Sequence, residues 1–128
     1  MIVAALALLA QAPMSLEGSW INDRSSVVVK IRSCRSGLQA MCGTIQSASD
    51  KAQADARRAG TNELVGTEVL HEFVAIGLNS WSGTLFVPDL NRRSKARAIL
   101  LDDNRLRVRG CAVGNLFCKS QIWSRIPE

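Results

Sequence analysis

The side chains able to do acid–base, metal or thiol chemistry in this chain are few, and their spacing excludes more than it supports. One histidine, His71, lies between Glu68 and Glu72. A single imidazole gives no His-based metal cluster and no second acid–base imidazole. A lone histidine in an alternating segment is usually a barrel-lining or surface group, and the plainer expectation for the two glutamates is a solvated surface. Asp102-Asp103 offers paired carboxylates, but beside Asn104 they read as a turn, where aspartate is favoured for backbone reasons. No G-x-S-x-G, phosphate-binding loop or dinucleotide fingerprint occurs. The expectation is a protein that is not an enzyme, with no metal and no cofactor.

Thiol chemistry is accounted for by cross-links. Four cysteines, Cys34, Cys42, Cys111 and Cys118, form an even set in a small chain, which reads as two disulfides. Three pairings are open, and the grouping suggests Cys34–Cys42 and Cys111–Cys118, each closing a short loop between strand-like segments. A four-cysteine zinc site competes poorly, because structural zinc favours tighter C-x2–4-C pairs.

The other chemically distinctive feature is cationic. The formal net charge is +5. Much of the positive charge falls in Arg92-Arg93-Ser-Lys95-Ala-Arg97 and in Arg105-x-Arg107-x-Arg109. Such a patch attracts anionic lipid head groups, lipopolysaccharide or cell-wall polymer, or simply confers solubility. Nucleic acid is not expected, since no aromatic residues interleave with the arginines to stack on bases.

The elements that must position these groups are strands. Val27, Val29 and Ile31 alternate with Val28 and Lys30; Gly43–Ser47, Trp81–Val87, Ala96–Leu101, Leu106–Arg109 and Lys119–Arg125 are further strand segments. Pro88-Asp89 ends one of them, and Asp102-Asp103-Asn104 joins two as a hairpin. Residues 49–60 are alanine-rich, with cap candidates Ser49 and Asp50 and a terminating Gly60, and predict a short surface helix or ordered loop. Leu64–Leu78 fits both helical and strand periods, and its β-branched residues and Gly66 favour strand. Many short strands without a long helix predict an all-β, antiparallel sandwich or barrel.

The chain has 128 residues, 47% of them hydrophobic and 21% charged, the composition of one ordinary globular domain. The apolar run from Met1 to Ala10 is too short for a transmembrane helix and suits the core of a secretory signal ending in Ala10-Gln-Ala12. Pro13 directly after that site argues for a cut nearer Ser15. Residues 1–15 are therefore expected to be an export segment and 16–128 a single periplasmic or secreted domain, in keeping with the cysteines.

The order of landmarks adds a resemblance. Gly18-Ser-Trp20, Val27–Ile31 leading to Cys34, Cys42-Gly43, Asn62, Leu64-Val-Gly66, Trp81-Ser-Gly83, Val87-Pro-Asp89, Leu106–Gly110 and Ser120–Arg125 resemble the exported bacterial family called domain of unknown function 2147. The resemblance implies a lipocalin-like, up-and-down barrel with an internal cavity, and no particular activity. It also implies that Gly18 and Trp20 open the barrel and that Arg125 stacks on the Trp20 indole at a closed end, a structural role. After Pro88-Asp89 the family runs through a glycine and a basic residue to a tyrosine; Leu90–Ala96 here has neither the glycine nor the tyrosine.

Together these readings predict a binding protein. Phe73, Trp81 and Phe86, with Leu85 as the alternative to Phe86, are the expected lining for a small apolar or amphipathic ligand such as an acyl chain. Arg93, Arg97, Arg107 and Arg109 are the expected contacts to an anionic head group at the mouth. The alternative is an envelope-interaction protein with a solid barrel that works through its basic outer face.

Overall fold

The computed structural model describes residues 15–37, 39–112 and 117–127; the apolar run from Met1 to Ala10 lies outside them. The strands are β1 (Gly18–Ile21), β2 (Val27–Ser33), β3 (Ala40–Ala48), β4 (Glu68–Gly77), β5 (Ser80–Val87), β6 (Arg92–Asp102), β7 (Arg105–Ala112) and β8 (Phe117–Arg125), with helix α1 (Asp50–Ala59) between β3 and β4. Each strand pairs antiparallel with the next, and β1 returns to β8 through Trp20 opposite Arg125, so the sheet closes into an eight-stranded up-and-down barrel.

Alternation explains the closure. On β6 the buried Ala96, Ala98 and Leu100 alternate with exposed Lys95 and Arg97; on β7 buried Leu106 and Val108 alternate with exposed Arg105, Arg107 and Arg109. A closed barrel turns one such set inward and leaves the other in water. The ambiguous Leu64–Leu78 stretch is strand only from Glu68 onward. Before it, Gly66 donates from its backbone N–H to the Ile45 carbonyl, and Ile45 donates to that of Thr67, which ties the approach to β3.

The helix forms where its caps are. Ser49 accepts from the Ala52 N–H through its hydroxyl, Asp50 opens the first turn, and Gly60 ends the helix in the left-handed region at φ 115°. Only Ala56 of α1 is buried, so the helix follows the barrel rather than building a core of its own. The Ser49 N–H donates to the Ser26 carbonyl in the β1–β2 turn, and Gly60 lies against Asn91 in the β5–β6 turn. Helix α1 thus crosses the end of the barrel opposite Trp20. The Asp102–Asn104 hairpin also forms as its residues predict: the Asn104 N–H donates to Asp102, Arg105 pairs with it, and both hold its carboxyl below the ordinary value.

Cys34–Cys42 and Cys111–Cys118 are both bonded. Cys34–Cys42 ties the start of the β2–β3 loop to β3. Replacing both cysteines by alanine is expected to cost about 2–3 kcal/mol in urea denaturation, the loop-closure entropy of so short a span. A midpoint equal to the parent's would show that the loop is held by other contacts.

Candidate functional site

Three regions can carry a function: the interior, the outer face of β6 and β7, and the outer face of β2, β3 and β4.

The chain's own side chains fill the interior around Trp20 and Phe73, while the inward Trp81 and Leu85 are partly buried. Trp20, Ile31, Leu70, Phe73 and Leu106 are all essentially without solvent contact. The inward glycines leave no slack: a Cβ on Gly83 would lie 2.6 Å from Phe73 Cδ1, and one on Gly110 would lie 3.0 Å from Leu85 Cδ2. Register places Trp81 opposite Ala98 and Leu85 opposite Ser94 on the inner side. Phe86 faces Arg93 instead, and the Arg93 guanidinium sits over its ring at 5.1 Å, so Phe86 belongs to the outer surface. Of the expected lining residues, Phe73 and Trp81 turn inward and Phe86 does not. Phe73 fills space rather than lining it.

One end of the barrel is closed by Trp20 and Arg125. The Arg125 guanidinium lies 4.3 Å from the indole centroid. Its nitrogens donate to three backbone carbonyls: Nε to Asp103 at 2.6 Å, Nη1 to Glu17 at 2.7 Å and Nη2 to Ser15 at 2.6 Å. The indole Nε1 donates to the Leu16 carbonyl at 3.0 Å. One planar fork therefore joins β8, the β6–β7 turn and the segment before β1. Gly18 has φ 135°, and a Cβ there would come within 2.8 Å of Arg125 Nη1, so backbone conformation and the passing guanidinium both require glycine.

Arg93, Arg97, Arg107 and Arg109 are exposed and face outward, away from the mouth where the head-group expectation put them. The cause is the alternation itself: Ala96, Ala98, Leu106 and Val108 are the apolar partners that take the inside. The four arginines and Lys95 share one surface strip. Arg97 stands directly opposite Arg109, and Arg107 opposite both Ile99 and Ile122. Among the described residues none of these five cations has a carboxylate partner. Like charges directly opposite across a strand pair are destabilising, so this strip is a cost to the fold.

The third region is an open groove of about 600 Å³ across the outer face of β2, β3 and β4. Arg32 and Arg35 stand on its β2 side, Cys42 and Thr44 form its floor, and Glu68, His71 and Glu72 stand on its β4 side. His71 is held between carboxylates, with Nδ1 hydrogen-bonded to Glu68 and Nε2 3.8 Å from Glu72. The Ser36 hydroxyl donates to Glu72 at 2.7 Å, pinning the β2–β3 loop to β4. Glu72 has φ 48°, a conformation that costs a non-glycine residue about 1–3 kcal/mol, at a register break between His71 and Val74. The break is a bulge, and it brings His71 and Glu72, adjacent in sequence, into one groove. Cys42, Glu68 and His71 offer ligand atoms within 4.8 Å of one another, but the Cys42 sulfur is bonded to Cys34 and is not a thiolate. Arg32, Arg35 and Ser36 are the residues that sequence reading missed. They lie more than thirty positions from Glu68 and Glu72, and only register joins them.

Among the described residues no helix is long and apolar enough to cross a membrane. Among solved structures, a protein from the human pathogen Helicobacter pylori that belongs to the lipocalin family is similar in fold, with a TM-score of 0.69, 12% identity, and coverage of 90% of this chain and 85% of that one. No curated protein matches the chain. The model of a bacterial family, described as uncharacterized protein conserved in bacteria (DUF2147), matches residues 18–125, from the glycine beside Arg125 to Arg125 itself, and the chain belongs to that family.

Proposed function

We propose that this protein is an exported, non-catalytic envelope component that docks the outer face of β6 and β7 onto anionic lipid head groups. The observation that carries the reading is the strip of Arg93, Lys95, Arg97, Arg107 and Arg109, kept on one face without carboxylate partners among the described residues and with Arg97 opposite Arg109. Side chains that repel one another across a strand pair lower stability, and a bound anionic surface offsets that repulsion. Partly buried Phe86, Ile99 and Ile122 lie on the same face between the arginines, the mixture of apolar and cationic groups that suits a head-group layer better than a dissolved polymer. Two disulfides and membership of a bacterial family support an oxidising compartment outside the cytoplasm. The lipocalin-like fold supports a second reading, a small amphipathic ligand inside the barrel. The filled interior around Phe73 favours the outer face over it.

The test is co-sedimentation with phosphatidylglycerol-containing vesicles and with pure phosphatidylcholine vesicles, at low and high salt. Binding is expected only to the anionic vesicles and only at low salt. Each cation near such a surface contributes about 1 kcal/mol, so replacing Arg97, Arg107 and Arg109 together by serine is expected to weaken binding about a hundredfold. A parent protein that stays in the supernatant with anionic vesicles at low salt overturns the proposal.

A further inference from the structure

We propose that the groove across the outer face of β2, β3 and β4 binds a short zwitterionic molecule, a peptide of about three residues, with its ammonium at Glu68 and Glu72 and its carboxylate at Arg32 and Arg35. This site is separate from the cationic strip on β6 and β7, and its charge pattern is different. The strip is uniformly positive, whereas the groove carries opposite charges on its two sides.

Four observations lead to this assignment. First, Arg32 and Arg35 do not neutralise the carboxylates opposite. Arg32 and Arg35 are exposed and, among the described residues, have no carboxylate within ion-pair distance. The facing carboxylates are held by other groups, Glu68 by His71 and Glu72 by Ser36. A carboxylate that accepts one hydrogen bond keeps lone pairs for a ligand ammonium, and each guanidinium presents a free fork that matches a carboxylate.

Second, the separation has a definite length. Strands β2 and β4 flank β3, so their backbones lie two strand spacings apart, roughly 10 Å. An extended peptide of three residues spans about the same distance between its charged ends. A ligand with one charge engages one side and meets like charge on the other, so the groove selects for both charges at once.

Third, the acidic side is built by a distortion. Regular alternation would send His71 and Glu72 to opposite faces of β4. The bulge, with Glu72 at φ 48°, places both beside the groove. Bulges of this kind re-aim side chains at binding sites, and a non-glycine residue in the left-handed region persists only where its surroundings enforce it.

Fourth, the loop at the edge of the groove is tied down on two sides. The Cys34–Cys42 disulfide ties the loop that carries Arg35 and Ser36 to β3, and the Ser36–Glu72 hydrogen bond ties it to β4. A tied loop and a held Glu72 lower the ordering cost of binding.

The experiment is an NMR titration of the isotope-labelled protein with trialanine, N-acetyl-trialanine, trialanine amide and phosphoethanolamine. Trialanine is expected to shift the resonances of Ser36, Thr44, Glu68 and Glu72, and to bind at least tenfold more tightly than either end-blocked peptide. Arg32→Gln and Glu72→Gln should each weaken trialanine binding tenfold or more, while resonances of the barrel interior stay in place and report an intact fold. Equal binding of the blocked and unblocked peptides, or no shift at these residues with any probe, overturns the proposal. Tighter binding of phosphoethanolamine than of trialanine overturns the peptide assignment.

Discussion

Replacing Phe73 by alanine is expected to destabilise the barrel by about 3–5 kcal/mol, a large share of the 5–15 kcal/mol that usually holds a domain together. Phe73 has no solvent contact, and its ring packs over Gly83 at a separation that leaves no room even for a methyl group. The site cannot collapse, because Gly83 and the surrounding strands are fixed by the closed sheet. The lost ring therefore leaves a cavity lined by Leu70 and its neighbours. Urea denaturation measures the loss directly. A second readout separates packing from general damage: an apolar cavity stays dry and accepts a small apolar guest. Benzene should raise the melting temperature of Phe73→Ala and leave the parent unmoved. Stabilisation of the parent by benzene or by a fatty acid would show that the interior has room for a ligand after all, and would restore the internal-ligand reading.

The second large effect is at the closed end. Arg125→Ala is expected to cost about 2–3 kcal/mol, the sum of a partly buried cation–π contact and three charge-assisted hydrogen bonds discounted for their exposure. The residue ties β8 to two other segments, through the Ser15 and Glu17 carbonyls before β1 and the Asp103 carbonyl in the β6–β7 turn, and covers the Trp20 indole. Among the described residues β1 and β8 share the shortest ladder of the barrel, Trp20–Arg125 and Ile21–Ser124 extended by the Ile126 N–H to the Ser19 carbonyl, and this loss falls on that seam. Amide exchange in β1 and β8 should rise well before that of β6 and β7. Arg125→Lys keeps the charge but loses the planar fork, and should recover less than half of the stability. If Arg125→Ala unfolds at the parent's denaturant midpoint, the seam is held by strand pairing and the packing of Leu16 instead.

Most of the architecture is written locally. Period-two alternation marks the strands, Ser49 and Gly60 mark the ends of α1, Asp102 and Asn104 make the hairpin, and short cysteine spacings favour local disulfides. These follow from contacts between residues close in the chain, so sequence alone carries them. The outward course of the arginines follows from the same alternation, against the expectation that set them at the mouth. Arg97 alternates with Ala96 and Ala98, and Arg107 with Leu106 and Val108, and a closed barrel must take the apolar set inside. The choice between Leu85 and Phe86 was not legible, because both lie in a continuous apolar run. Register decided it, setting Leu85 opposite Ser94 and Phe86 opposite Arg93. The two-sided groove belongs wholly to tertiary structure. Its arginines come from β2 and the loop after it and its glutamates from β4, far apart in the chain, and they lie side by side only because β3 pairs with both strands. The bulge at Glu72 completes it, since period-two reasoning sends adjacent residues to opposite faces and only the β3–β4–β5 register brings His71 and Glu72 together.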